Sequence, residues 1–259
     1  MIEMPSAIGA GKRRRASRII QPDGKAVLIA VDMQMSSGEG PDVDVVERVA
    51  AGGADGILAT WQIARKYPTA FARTGLILRI DGALSHLGPF SPTDTFSLMY
   101  SAEQAAAIGA DAVALMAFPG ANDEELSLQR LAKVVGECEK LGMPVIAESI
   151  PGAFEQSIPH DKENIARCAR ICVEIGADMI KTPAPPDVGD LVEVLDNVEA
   201  PVFVLGGPKM ESEDAAVAYA RDVVAAGAAG IAFGRNAWTA ADVTDMVLRL
   251  NEAVHGSSV

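Results

Sequence analysis

Lys181 closes the apolar run Ala177-Asp178-Met179-Ile180 and precedes Thr182-Pro183. Pro183 cannot donate to a strand ladder and biases its predecessor toward extended geometry, so a strand through Met179 and Ile180 ends close to the lysine. An amine at the carboxyl end of a buried strand is a candidate nucleophile: desolvation lowers its pKa and leaves more of it uncharged, the form that condenses with a carbonyl. The alternative reading is a lysine whose stem packs while its head reaches water. Glu148 and Asp32 also close apolar runs, and a carboxylate beside such an amine can shuttle protons through carbinolamine and imine. Their alternative readings are a salt-bridge partner for a loop cation and a loop cap. Two glycine turns, Gly206-Gly207-Pro208-Lys209 and Gly234-Arg235, offer backbone N–H groups and cations suited to a phosphate.

These residues share an address only if the chain brings strand ends together. Four segments look alike: Gly52-Gly53-Ala54-Asp55, Ile108-Gly109-Ala110-Asp111, Ile175-Gly176-Ala177-Asp178 and Ala226-Gly227-Ala228-Ala229. Each follows a helix-patterned stretch and leads into a short apolar run, so its central glycine reads as a helix C-terminal residue at positive φ. Between them stand corners of a second type, Gly142-Met143-Pro144 and Glu199-Ala200-Pro201. The recurrence fits two βα units per repeat. Strands are expected near Ala26–Asp32, Gly56–Ala59, Gly75–Ile80, Ala112–Ala117, Pro144–Ser149, Met179–Thr182, Pro201–Gly206 and Gly230–Gly234. Helices are expected over Glu124–Leu141, Lys162–Ile175, Ala215–Ala226 and Ala241–Val254. Eight continuous apolar strands with crossover helices predict a single (β/α)8 TIM barrel, with a doubly wound sheet as the alternative. Barrel chemistry gathers at the carboxyl ends of strands, where Asp32, Arg79-Ile80-Asp81, Glu148, Lys181, Gly206 and Gly234 all fall.

Composition narrows the partners. The 259 residues are 49% hydrophobic and 22% charged, a globular balance, and the net charge of −13 disfavours nucleic acid and anionic membranes. No apolar stretch has the length of a membrane span, and the basic run Lys12-Arg13-Arg14-Arg15 has no signal-peptide core behind it. A cytoplasmic homo-oligomer is expected, with residues 1–24 a solvated or interface-forming arm and residues 25–255 the barrel. Cys138, Cys168 and Cys172 lack metal or disulfide spacing and read as helix packing. His86, His160 and His255 lack zinc-site spacing, so the chemistry is expected to need no metal and no cofactor. The Gly-, Pro-, Ser- and Thr-rich segment Asp81 to Met99 reads equally as a lid or an oligomer contact.

Taken together, Asp32, the stretch Ile175 to Thr182 with its lysine, Val204-Leu205-Gly206-Gly207-Pro208-Lys209-Met210 and Phe233-Gly234-Arg235-Asn236 resemble the class I aldolases of the DeoC/LacD group, including archaeal-type fructose-bisphosphate aldolases. The resemblance runs over nearly the whole chain. It implies that Lys181 forms the Schiff base, that Asp32 is a catalytic carboxylate, and that Gly206, Gly207, Gly234 and Arg235 clamp the phosphate. The chain departs from the archaeal branch at Asp32-Met33-Gln34, where that branch carries Asp-His-Gly, and at Glu148-Ser149-Ile150-Pro151-Gly152, where it carries Trp-x-Tyr-Pro-Arg-Gly. Ile150 thus replaces the tyrosine acid/base. A glutamate ending the fifth strand is similar to the tagatose-bisphosphate and sulfofructose-phosphate branch, although Ala112 to Ala117 lacks the strand-four lysine of some of those enzymes. The expected activity is aldol cleavage or formation on a phosphorylated ketose or related ketone, a sulfosugar phosphate included. Glu148 would move the proton of the cleaved hydroxyl and Asp32 would support transfer at the lysine. The rivals are thiolase-like acyl transfer on a phosphorylated diketone and a non-catalytic barrel that binds a sugar phosphate.

Overall fold

The structure, a computed structural model, describes residues 9–34, 40–41, 44–83, 96–154 and 158–256. Eight parallel strands form a closed barrel in chain order: β1 (Ala26–Ala30), β2 (Gly56–Ala59), β3 (Gly75–Arg79), β4 (Ala112–Ala117), β5 (Val145–Ser149), β6 (Met179–Thr182), β7 (Val202–Leu205) and β8 (Gly230–Phe233). Pairing of β1 with β8 completes the ring, which excludes the open doubly wound sheet. The strands are apolar along their length because both faces are covered. One face turns inward with Leu28, Ile77, Ala114, Ile146 and Phe203, the other outward against the helices with Ile29, Leu78, Val113 and Ile180.

The helices are α1 (Ala10–Ala16), α2 (Val45–Ala51), α3 (Trp61–Lys66), α4 (Ala102–Ala107), α5 (Glu124–Leu141), α6 (Lys162–Ile175), α7 (Leu191–Leu195), α8 (Glu213–Ala225), α9 (Arg235–Trp238) and α10 (Val243–His255). Side-chain caps decide where they begin. Ser212 accepts from the N–H of Ala215 and Asp242 from that of Asp245, so α8 starts two residues before, and α10 two residues after, the starts expected from apolar spacing. The four repeat glycines, Gly53, Gly109, Gly176 and Gly227, all lie at positive φ, as a helix-to-strand corner requires. The segment expected as a lid or contact lies largely outside the described residues; its ends, Asp81–Ala83 and Phe96–Leu98, pair as two antiparallel strands.

The aspartates of the repeat have a structural purpose. Asp55, Asp111 and Asp178, each just before a strand, accept the backbone N–H of Val27, Leu76 and Val145 on the strand before it, at 2.7, 3.0 and 2.8 Å. Each then takes a cation from elsewhere: Lys12 meets Asp178 at 3.0 Å, Arg18 meets Asp111 at 2.9 Å, and His255 meets Asp55 at 3.0 Å. In the fourth copy Ala229 stands in place of an aspartate. The basic segment is therefore no solvated arm over the residues described. Lys12 is buried, Ile19 is fully buried against β2 and β3, and Gly75 has no room for a Cβ because the Arg18 carbonyl and the Ile19 side chain would each lie 2.7 Å away. Acid at the barrel's amino end draws the base of residues 12–18 onto it, where Ala16 and Ile19 close the interior.

Removing one partner of a buried pair strands the other charge, so Lys12→Met should lower stability by about 3 kcal/mol; denaturant unfolding checks this. His255 donates from both ring nitrogens, to Asp55 and to Asp23, which together hold its pKa above the ordinary 6.5. A raised folded-state pKa gives stability that is fully present below 6.5 and is lost as pH rises through the folded value. His255→Asn should therefore lower the melting temperature most below pH 6.5 and progressively less in alkaline buffer.

Candidate active site

At the carboxyl end of the barrel, β5 and β6 pair with Glu148 directly beside Lys181. Both side chains point inward, on the same face as Ile146 and Met179, and both are almost fully buried. Lys181 Nζ donates to Glu148 Oε1 at 2.8 Å. Beneath the lysine is a cavity of about 10 Å³ walled by Leu28, Leu58, Ile77, Ile146 and the small side chains of Ala30, Ala114 and Ala232. The apolar floor explains how a lysine reaches the barrel centre: its stem packs, and only the terminal nitrogen needs a polar partner.

The second oxygen of Glu148 is held by Arg79, from the end of β3. The same guanidinium donates from Nε to Asp32 at 2.7 Å and from Nη1 to Asp81 at 3.3 Å. Asp81 is fully buried and also accepts the N–H of Met116 at 2.7 Å. Two cations and three carboxylates are thus packed into one water-poor cluster. Burial acts to raise the pKa of Glu148, but the charges of Lys181 and Arg79, with a hydrogen bond from each, overcome it and hold the carboxyl at about 2. Burial alone would lower the Arg79 pKa; Glu148, Asp32 and Asp81 reverse this and hold it well above its ordinary value. Asp81 goes the other way, raised by burial more than Arg79 and the Met116 N–H lower it.

The residues read from sequence thus separate into two groups. Lys181 and Glu148 touch each other; Asp32 joins them through Arg79 and pairs with it rather than capping a loop. Gly206, Gly207, Lys209, Gly234 and Arg235 lie together after β7 and β8, with Lys209 and Arg235 exposed. Gly207 sits at φ 63°, where a side chain would strain the turn. Asn236 fastens the two turns: its amide donates to the carbonyls of Gly206 and Pro208 at 2.9 and 3.0 Å and accepts the N–H of Met210 at 2.8 Å. The Trp238 indole ties α9 to β1 through the Ala30 carbonyl at 3.1 Å. A cavity of about 220 Å³ opens against these turns, lined by Lys209 and Asn236 with Met210, Ser212 and Thr239, and includes none of the charged cluster around Arg79.

Arg79, Asp81 and Asn236 were not assigned roles from the sequence. Arg79 carried the same signal as Lys181, a long cation at the end of an apolar strand; Asn236 carried none beyond following Gly234-Arg235. Ile150, at the position of the tyrosine in the archaeal branch, is buried with Phe96, Met116, Phe118 and Ala153.

A buried amine in contact with a carboxylate at the mouth of a (β/α)8 barrel is an arrangement suited to Schiff-base chemistry. The comparisons identify the family. Residues 26–240 match the DeoC/LacD family aldolase model, and the chain belongs to that family of class I aldolases. It is 31% identical over 253 residues to the class 1 fructose-bisphosphate aldolase of Thermoproteus tenax, covering 92% of this chain and 93% of the relative. It is 30% identical over 214 residues to the 2-amino-4,5-dihydroxy-6-oxo-7-(phosphonooxy)heptanoate synthase of Streptomyces griseus, covering 82% and 77%. Among solved structures it resembles an archaeal fructose-1,6-bisphosphate aldolase whose catalytic lysine is bound to the carbinolamine intermediate, with TM-score 0.84, 27% identity, and coverage of 95% and 100%.

Arg79→Met should leave Asp32, Asp81 and Glu148 facing Lys181 alone. The expected loss is about 3–5 kcal/mol at neutral pH, shrinking in acid as protonation relieves the repulsion. Urea unfolding at two pH values measures both.

Proposed function

We propose that the protein cleaves or forms a carbon–carbon bond in a phosphorylated ketose or related ketone through an imine on Lys181. The observation that carries this is the buried contact of Lys181 Nζ with Glu148 Oε1. Lys181 gives a proton to Glu148, the acceptor in reach, and attacks the carbonyl carbon; the carbonyl oxygen takes one proton from the nitrogen and one back from Glu148 and leaves as water, giving the protonated imine with Glu148 again ionised. Glu148 then accepts the proton of the hydroxyl on the carbon to be released. The carbon–carbon bond breaks, its electrons pass into the iminium, and an aldehyde departs from the enamine. Reprotonation and hydrolysis free the ketone and the lysine.

The electrostatics support this assignment of Glu148. In the resting site it is ionised, so it is a base and not an acid. Formation of the neutral enamine removes one of the two charges that hold its pKa down, so its proton affinity rises at the step in which it must hold the proton. Asp32 acts in this reading through Arg79, which it helps to hold against Glu148. Gly206, Gly207, Lys209, Gly234 and Arg235 receive the substrate phosphate. The relatives differ in the number of phosphates: two in the name of the archaeal enzyme's substrate, one phosphonooxy group in that of the Streptomyces product. Among the described residues no helix is long and apolar enough to cross a membrane. The reading extends to a cytoplasmic homo-oligomer, for which exposed Leu126, Val192 and Leu248 on outer helices offer contact surface; light scattering checks it.

Borohydride with dihydroxyacetone phosphate should add one stable adduct, at Lys181. Binding without an adduct would favour a silent sugar-phosphate-binding barrel. Glu148→Gln should lower turnover about 10²–10⁴-fold while imine formation falls much less; equal falls would make Glu148 a structural residue.

A further inference from the structure

Arg130 stands in α5, one turn after Ser127, whose hydroxyl accepts the N–H of Phe118 at 2.7 Å and so seats the start of the helix against the end of β4. Leu131 and Val134 of the same helix are buried against the barrel. Helical side chains lean toward the amino end of their helix, which carries the Arg130 head toward the level where Asp81 accepts the N–H of Met116 on β4. Nε and Nη2 of Arg130 are buried there, and among the described residues neither has a hydrogen-bond partner. These two donors form the edge of a guanidinium that fits a carboxylate. A charged donor buried and unpaired is costly, so the fields around it must favour its charge.

Two carboxylates supply those fields, and their needs differ. Burial pulls the Arg130 pKa below its ordinary value, and Asp81 and then Asp123 act against that. Asp123 is part-exposed at the positive end of the 18-residue α5, so water and the helix dipole already favour its charge. Asp81 is fully buried. Burial works against its ionised form, Arg79 from its own strand and the Met116 N–H favour it, and Glu148 from β5 opposes it. Arg79 holds it at 3.3 Å, less tightly than it holds Asp32 at 2.7 Å.

The charges of the cluster do not balance by themselves. Arg79 and Lys181 face Asp32, Asp81 and Glu148. When a proton passes from the lysine nitrogen to Glu148, one positive and one negative charge vanish together, so an excess of one negative charge persists through the reaction. Arg130 offsets that excess from the α5 side, at the carboxylate with the fewest other supports.

We propose that Arg130 is a positioning residue for the imine reaction described above, on which this inference rests: its charge holds the Asp81 carboxylate to Arg79, and Arg79 in turn holds Glu148 against Lys181. Without Arg130, a proton taken up by Asp81 relieves the excess charge. The Nη1 contact of Arg79 then loses its charged acceptor, and the guanidinium no longer fixes Glu148 at the nitrogen.

Hydrogen exchange of dihydroxyacetone phosphate in deuterated water tests this without an acceptor aldehyde. The imine on Lys181 gives a proton from the neighbouring carbon to Glu148, the C–H electrons form the enamine, and a deuteron returned by Glu148 restores the iminium. The exchange rate is followed by nuclear magnetic resonance against pH and substrate concentration. Arg130→Gln should move the acid limb of the saturated rate up by about one pH unit, an approximately tenfold loss at pH values below the limb. The half-saturating concentration should change far less, because the turns proposed to receive the phosphate are untouched. Arg130→Lys, which keeps the charge, should return the limb toward its wild-type position. An unchanged profile, or a loss of equal size at every pH, would make Arg130 a packing residue and overturn the proposal. If Arg130→Gln does not fold, Asp123→Asn carries the test, at a part-exposed side chain that makes no cap bond to α5. It removes the acid that competes for Arg130 and should move the limb to lower pH; no movement, or movement upward, overturns the proposal. A wild-type adduct without exchange also overturns it, since Glu148 would then not serve the step. Failure of the underlying aldolase reading is distinct: it would show as no borohydride-stable adduct of dihydroxyacetone phosphate on Lys181.

Discussion

The guanidinium of Arg79 is the constraint around which the carboxyl end of the barrel is arranged. It takes one carboxylate after β1, one after β3 and one on β5, and the last of these also receives Lys181 from β6. A cluster of this kind is expensive to bury and tolerates no missing member, because each charge is desolvated and depends on the others. Four strands must therefore keep their register to within a fraction of an ångström at that level. A closed barrel meets this demand better than loops do, since each strand is fixed by two neighbours.

The barrel treats its two ends differently. At the amino end, aspartates of the repeated corner take strand N–H groups and are neutralised by Lys12, Arg18 and His255, and the interior is closed by Ala16 and Ile19. At the carboxyl end the three carboxylates around Arg79 outnumber the two cations they contact, a small apolar cavity lies beneath the lysine, and the turns after β7 and β8 are tied together by Asn236. The first arrangement stabilises; the second holds an amine and a carboxylate in contact at the end of the barrel where chemistry gathers.

Much of this was legible in the sequence, for a physical reason in each case. Gly53, Gly109, Gly176 and Gly227 announced corners because positive φ is costly for other residues, and the apolar runs between them announced strands because both faces of a parallel sheet are covered. Lys181 was legible because a cation at the end of such a run is hard to explain otherwise. Arg79 offered the same clue, but its three partners lie on different strands, and only the closed ring shows that they meet. The packing of residues 12–18 was hidden for the same reason: a basic run reads as solvated until the aspartates it neutralises are brought together by the fold. Asn236 and the apolar setting of Ile150 depend on turn geometry and on side-chain direction, which residue spacing does not encode.

The proposed reaction depends on Lys181 being the covalent centre, with Glu148, steadied by Arg79, handling the proton beside it. The most direct measurement is a crystal structure of the wild type after borohydride reduction in the presence of dihydroxyacetone phosphate. It should show Nζ of Lys181 bonded to the former carbonyl carbon, the phosphate on the turns of Gly206-Gly207 and Gly234-Arg235, and Glu148 still held by Arg79 with its free oxygen facing the carbon that forms the new bond. A ligand attached to another lysine, or Glu148 turned away from the adduct, would contradict it.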